Sequence, residues 1–242
     1  MRRALAVLAL ALAAGCHTPP RRPATPEVHG LLYEAGKLEQ ELGRIKEAQD
    51  AFELRCRVAS LYLTLVEYPS APKRERLDNA RRALAHADAA IILEEDRVEG
   101  HFFRALALGR VLEFSTIPDL SLIGLLDQSA RRARELDPGF QGAGPLRLLA
   151  VFYSQAPSWP VGPEGAGEDD LIEELFEEAL ERAPECAENR VCFAEYLRAK
   201  KRLPEAVEHA RAALDLLASD PLIGSTFERD DLQQRIDAIL RL

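Results

Sequence analysis

Residues 187–220 have the sequence AENRVCFAEYLRAKKRLPEAVEHARAALDLLASD, the pattern of two helices on either side of a turn at Lys200–Pro204. In the first helix Ala194 is a small residue, and Leu197 follows it one turn later. The second helix carries three alanines at spacings that place them on one stripe: Ala206, Ala210 and Ala213. Two helix backbones can approach closely only where such small side chains meet, so this stretch predicts a tight helical hairpin.

A hairpin of 34 residues has the length of a tetratricopeptide repeat (TPR). Related alanines occur earlier in the chain, because Ala133 and Ala179 each stand five residues before a proline. Ala179 and Ala213 are 34 residues apart, one full repeat, whereas Ala133 and Ala179 are 46 residues apart. The surplus indicates an inserted loop at residues 155–167, which contains three prolines, three glycines and the only tryptophan.

The remainder of the chain from residue 27 also has helical periodicity. Apolar stripes predict helices at about Glu27–Leu42, Ile45–Tyr68, Leu77–Glu94 and His101–Glu113, another from about Leu120, and a final capping helix at Phe227–Leu242. Before residue 95 the repeat register stays open, because Arg55 occupies a position that requires a small residue. The pattern predicts an all-α, TPR-like helical-hairpin solenoid of about ten helices and no strand.

The amino terminus has the pattern of a secretory signal. Residues 1–15 contain two arginines, an apolar run from Ala4 to Ala14 and small residues before Cys16. Eleven apolar residues are too few to cross a bilayer as a helix. A cysteine directly after Ala-Ala-Gly resembles the lipobox of bacterial lipoproteins, in which Cys16 would be the acylated residue that carries palmitate. The alternative is an ordinary secreted protein in which Cys16 has no special role.

Residues 16–26 form a proline-rich segment that is predicted to be an extended tether, with four prolines and no apolar periodicity. Its ten residues after Cys16 can reach roughly 30 Å. The predicted helical domain, residues 27–242, would then lie close to the membrane and face the periplasm. By resemblance to the sorting rule of enteric bacteria, His17 at the position after the cysteine favours the outer membrane.

Composition and charge exclude several classes of function. The formal charge is −9, and removal of residues 1–15 takes away two arginines and leaves −11. Such acidity argues against nucleic acid as a partner. The five histidines have no metal-ligand spacing, and no glycine-rich phosphate loop or nucleophile elbow is present. We therefore expect no catalytic residues, no metal and no cofactor.

Three cysteines remain if Cys16 is acylated, and their number is odd. Cys186 and Cys192 would lie about 9 Å apart on one continuous helix, too far for a disulfide, although a turn at Cys186 would bring them closer. The pattern favours small buried apolar roles for Cys56, Cys186 and Cys192.

Four segments resemble a known group of proteins. They are Asp137–Arg147, Ala156–Pro160, Gly165–Asp169 and Asn189–Glu195. Together they resemble bacterial TPR lipoproteins related to the T-component associated with TRAP transporters, over about residues 122–213. The resemblance implies an all-helical periplasmic protein on a lipid anchor, without known catalytic residues, in a binding or assembly role and connected with solute uptake only by association.

Three residues are candidates for a binding surface. Arg147 lies on a predicted helix, Gly144–Ser154, as either a surface charge or the polar contact of a groove. Asn189 precedes a helix predicted to start near Arg190, where a capping role is the alternative to binding. Trp159 lies between prolines of the inserted loop, where it either fills a gap between helices or forms part of the binding surface.

Two functions are consistent with these features. The first is a membrane-anchored scaffold for a protein partner, since helical solenoids offer extended concave surfaces. The second is an accessory component of a TRAP-type solute transporter that holds a small apolar solute. A polar concave face would favour the scaffold, and a closed apolar cavity would favour the accessory component.

Overall fold

The structure of the chain is a computed structural model that describes residues 26–45, 47–68, 71–157 and 162–241. These residues form ten α-helices and no strand. The helices are α1 (Pro26–Leu42), α2 (Ala48–Glu67), α3 (Lys73–Leu93), α4 (Val98–Phe114), α5 (Ser121–Leu136), α6 (Phe140–Gln155), α7 (Asp169–Arg182), α8 (Ala187–Ala199), α9 (Leu203–Leu216) and α10 (Thr226–Leu240). The predicted all-α, TPR-like fold of about ten helices is confirmed over the part of the chain that the structure describes.

Buried alanines at one repeated position define the hairpins. The second helix of each hairpin has a fully buried alanine three residues before its last residue: Ala90, Ala133, Ala179 and Ala213. In the hairpin of residues 187–220, Ala194 and Ala206 are also fully buried. A larger side chain at these places would separate the two backbones, which is why the small residues carry the repeat signal.

The helices divide into two compact units, which meet in sequence between Leu136 and Asp137. Unit 1 contains α1 to α5, and each helix packs against the next one along the chain. The first helices of its hairpins, α2 and α4, also contact each other, whereas α3 and α5 do not. Unit 1 is therefore curved, with α2 and α4 on the inner side.

Unit 2 contains α6 to α10 and follows the same rule. The inner helices α6, α8 and α10 contact in sequence, while the outer helices α7 and α9 have no contact with each other. The last helix buries one face, formed by Leu232, Ile236 and Ile239. It begins with a capping box, in which Ser225 and Glu228 satisfy each other's backbone N–H groups. The predicted capping helix is thus present at Thr226–Leu240.

Helix α6 begins with an irregular turn. The residues Gln141, Gly142 and Ala143 have φ values of 47°, 64° and 60°, in the left-handed region. The sequence explains this turn, because Pro138 and Ala150 are twelve residues apart whereas Pro184 and Ala194 are ten apart. The left-handed turn accommodates the two additional residues, and the regular part of α6 begins at Gly144 as predicted.

The inserted loop lies between Gln155 and Asp169, close to the predicted residues 155–167. Its second part is attached to α6, because Gly167 donates a backbone hydrogen bond to Tyr153 at 2.9 Å. Gly165 has φ +91°, and a Cβ there would lie 2.7 Å from Leu171. Glycine is thus required at Gly165 by both backbone conformation and space. Trp159 lies outside the described residues.

Several helix boundaries differ from the predicted ones by a few residues. The largest shift on the site is at α8, which begins at Ala187 and not near Arg190. Asn189 is therefore inside the helix and is not its N-cap residue, a position that Cys186 occupies. Among the helices that the structure describes, none is both long and apolar enough to cross a membrane.

Candidate functional site

Asn189 is the centre of a polar cluster in unit 2. Its side chain is fully buried in the first turn of α8, and its amide nitrogen faces backbone carbonyls of two other segments. It donates to Gly142 at 3.0 Å and to Ala179 at 3.2 Å, with Ala183 at 3.5 Å. The last carbonyls of a helix lack partners within the helix. Asn189 thus caps the end of α7 and holds the left-handed turn of α6.

Arg147 on α6 lies directly over Asn189. Its guanidinium donates to the Asn189 side-chain oxygen at 2.6 Å and to the Gly142 carbonyl at 3.2 Å. Its other terminal nitrogen forms an ion pair with Glu188 at 2.9 Å. The side chain is only 13% exposed, so it is a mostly buried charge rather than a free surface arginine.

A second buried arginine lies on the other side of α8. Arg235 of α10 binds Glu195 through two nitrogens, at 2.9 and 2.8 Å, a bidentate geometry. Its side chain is 18% exposed. We call Arg147, Glu188, Asn189, Glu195 and Arg235 the arginine cluster. It joins the three inner helices of unit 2 and pairs two positive charges with two carboxylates.

The electrostatics of the cluster favour the charged arginines. Burial opposes the charge of Arg147, but Glu188 outweighs this effect, so the pKa of Arg147 stays above its usual value. The pKa of Arg235 is likewise raised, because Glu195 more than offsets the burial of the guanidinium. Both arginines therefore stay charged at every physiological pH.

Two free cysteines line the same region, Cys186 and Cys192. Burial raises the pKa of Cys192 to about 12, against a smaller opposing effect of Arg235. Burial also raises the pKa of Cys186, although Arg147 and the Asn189 backbone N–H oppose the shift. Because the thiolate is the reactive form, both thiols are poor nucleophiles near neutral pH. The predicted buried roles are consistent with this geometry, and Cys56 is buried as well.

Asp220 fixes the position of α8 from the far end of its hairpin. One carboxylate oxygen accepts the Ala187 backbone N–H at 2.7 Å, and the other accepts Leu222 at 2.8 Å. A carboxylate at a helix N-terminus satisfies a free N–H group and complements the helix dipole. Asp220 thus closes the hairpin of residues 187–220.

A different polar cluster lies in unit 1, where α1 packs on α2 and α3. Glu39 of α1 accepts hydrogen bonds from Tyr62 at 3.0 Å and contacts His86 at 3.2 Å. Arg82 donates to the Tyr62 oxygen at 2.9 Å. Burial lowers the pKa of His86, so the imidazole is mainly neutral near neutral pH. This cluster attaches the first helix to its neighbours.

The structure brings together two of the three predicted binding residues, Arg147 and Asn189, in direct contact. Trp159 and Cys16 lie outside the described residues, so their predicted roles stay predictions. The sequence analysis did not identify Glu195, Arg235 or Asp220. Arg235 and Glu195 are 40 residues apart, and no local pattern links them. Among the described residues, no group of three or more histidines, cysteines and carboxylates could hold a metal ion.

Comparison with known proteins identifies the fold. No family model matches the chain, and no curated protein matches it. A solved structure, the thermophilic TPR protein TTC0263 of Thermus thermophilus, is similar over 89% of this chain and 100% of its own, with 19% identity and a TM-score of 0.53. Yeast Tom70 is similar over 98% of this chain and 53% of its own, with 15% identity and a TM-score of 0.46. The fold of this chain is therefore similar to that of TPR proteins.

Proposed function

We propose that this protein is a non-catalytic, periplasm-facing lipoprotein that binds a protein partner on its TPR-like helices. The observation that carries the proposal is the layer of inner helices in unit 2. Stacked inner helices present their free faces side by side, and such faces form an extended binding surface in helical repeat proteins. The resemblance to TPR lipoproteins of TRAP systems supports the same class of function.

The free face of α8 is polar. Glu188, Glu195 and Arg198 are at spacings of seven and three residues and are partly exposed, so they lie on one side of the helix. Glu188 and Glu195 also bind the buried arginines of the arginine cluster, which holds their carboxylates in fixed positions. A rigid, charged surface of this kind suits a polar peptide segment, because less side-chain entropy is lost when it binds.

The alternative, a TRAP-type accessory that holds a small apolar solute, has less support. The solute would require an apolar enclosed chamber. A cleft of about 520 Å³ beside the end of α1 is open, and its lining is mostly polar: Lys37, Gln40, Glu41, Arg44 and Ile45. Such a lining offers an apolar solute little surface to bury. We therefore favour the protein partner.

The lipid anchor predicts a complete change of fractionation. Cys16→Ala in the full chain is expected to abolish palmitate labelling and to release the protein from the membrane fraction, because the acyl chains supply the membrane affinity. Cys56→Ala, at a buried thiol, serves as the matched control and should keep both label and fractionation. Label that persists in Cys16→Ala would show that Cys16 is not the acceptor.

The binding surface predicts a difference between two arginines of the same hairpin. A photo-crosslinking amino acid at Arg198 on the free face of α8 should form adducts with a partner in intact cells. The same amino acid at Arg211, exposed on the outer helix α9, should form few or none. Adducts of equal yield at both positions, or at Arg211 alone, would contradict binding by the inner face.

A further inference from the structure

We infer that one edge of unit 1, formed by Ile117, Leu120, Lys73 and Arg74, rests on the lipid bilayer and orients the anchored protein. We call these four residues the membrane edge. This inference rests on the proposed lipid anchor at Cys16 and adds a second, non-covalent contact. Its partner is the surface of a membrane that contains anionic lipid.

Two apolar side chains are exposed in the loop between α4 and α5. Ile117 is 88% exposed and Leu120 is 39% exposed. Single exposed apolar residues are common on protein surfaces. These two, however, are three residues apart in one short loop, so their side chains can enter the same region of a bilayer.

The loop is held at both ends and so presents these side chains on a fixed frame. At its start, the Ser115 hydroxyl donates to Val111 at 2.6 Å. At its end, the Asp119 carboxylate accepts the Ser121 backbone N–H at 3.0 Å and the Ser121 hydroxyl at 2.7 Å. These bonds lower the pKa of Asp119 and direct its charge to the first turn of α5. Pro118, which follows Ile117, further restricts the backbone.

The same edge contains the turn between α2 and α3. The Arg76 guanidinium in the first turn of α3 lies 4.2 Å from the ring centre of Phe114, the last residue of α4. Arg110, one turn before the end of α4, forms an ion pair at 2.7 Å with Glu67, the last residue of α2. The ends of α2 and α4 and the start of α3 therefore meet at one edge.

Basic residues accompany the apolar ones at this edge. Lys73 and Arg74 are the first two residues of α3, and both are exposed. Each basic residue near an anionic bilayer contributes about 1 kcal/mol of attraction, which decays within a Debye length. The edge thus combines apolar side chains with positive charge, the combination that binds membrane surfaces, although the chain as a whole is acidic.

The tether enters unit 1 at this edge. Residues 43–47 join α1 to α2, and so short a link makes the two helices antiparallel neighbours. Helix α1 lies along α2, as the ion pair of Glu34 with Arg57 shows. Its first residue is consequently near the end of α2. From there the ten residues back to Cys16 reach at most about 33 Å, so an acylated Cys16 keeps the bilayer within range of the loop.

The test measures the depth of residue 117 in a bilayer. The only native tryptophan is replaced by Trp159→Phe in the full lipidated chain, and Ile117→Trp is introduced as the probe. The protein is reconstituted in vesicles of phosphatidylethanolamine and phosphatidylglycerol, with and without brominated acyl chains. Ile92→Trp is the matched control, since Ile92 is 85% exposed but lies at the end of α3, at the opposite edge.

We expect a blue-shifted emission of the probe at 117 and its quenching by brominated lipid, whereas the probe at 92 keeps the emission of a water-exposed ring. The shift at 117 should decrease when Lys73 and Arg74 are changed to glutamate. If lipidated protein is bound to the vesicles and the two probes behave alike, the membrane edge is wrong while the anchor stands. If the chain carries no palmitate label, the anchor itself fails, and the inference that rests on it falls too.

Discussion

Replacement of Asn189 by leucine is expected to lower the free energy of unfolding by about 3 to 5 kcal/mol. Leucine has a similar volume, so the main loss is polar. The substitution removes the amide donors that satisfy Gly142 and Ala179, and it removes the oxygen that accepts from Arg147. Each buried polar group left without a partner costs about 1 to 3 kcal/mol. Urea unfolding followed by far-UV circular dichroism measures the change.

Two further variants make this prediction specific. Asn189→Asp keeps an acceptor for Arg147 but places a carboxylate against backbone carbonyls, so we expect it to be no more stable than the leucine variant. Asn79→Ala is the matched control, because Asn79 is also buried on a helix but makes no side-chain hydrogen bond among those found in the described residues. It should cost less than about 1 kcal/mol. An equal loss for Asn189 and Asn79 would contradict the capping role.

Gly142→Ala is the second large effect, with an expected loss of about 2 to 3 kcal/mol. The residue has φ +64°, where a Cβ is disfavoured by about 1 to 2 kcal/mol. That Cβ would also lie 2.3 Å from Leu222 and 3.2 Å from the Cys186 sulfur. Leu222 is half exposed and can move, whereas Cys186 is buried and has little room. Thermal and urea unfolding should both report the loss.

Gly124→Ala provides a control of opposite sign. Gly124 lies in the exposed face of α5, and an added Cβ would meet nothing within 4 Å. An alanine in a helix interior is favoured over glycine by about 0.5 to 1 kcal/mol, so this variant should be more stable than the parent chain. If Gly142→Ala were as stable as the parent, the left-handed turn would be a flexible feature rather than a required one.

The helical repeat could be predicted from sequence because its signal is local. Ala194, Ala206, Ala210 and Ala213 lie within one hairpin, and all four are fully buried as predicted. The two additional residues before Ala150 were also visible in the sequence, since they change a ten-residue spacing to twelve. Their conformational result was not visible, because a left-handed turn over three residues has no local signature when only one of them is glycine.

The arginine cluster was only partly predictable. Arg147 and Asn189 were identified as candidates, yet each was considered by itself, and their direct bond spans 42 residues. The position of Asn189 was predicted as a helix start because asparagine is a common N-cap residue. In the structure the helix begins two residues earlier, and the same side chain caps the end of the preceding helix. A side chain that serves a neighbouring helix cannot be recognised from the helix that contains it.

The carboxylate of Asp220 has a consequence for the order in which unit 2 acquires its structure. A chain that emerges from its amino terminus exposes the first residue of α8 before the group that satisfies it, which lies 33 residues later. Until Asp220 emerges, the hairpin has an open end and is less stable. Completion of the hairpin's last residue supplies the missing acceptor, so the hairpin gains stability in one step and not residue by residue. The repeat length is thus also a unit of folding during export.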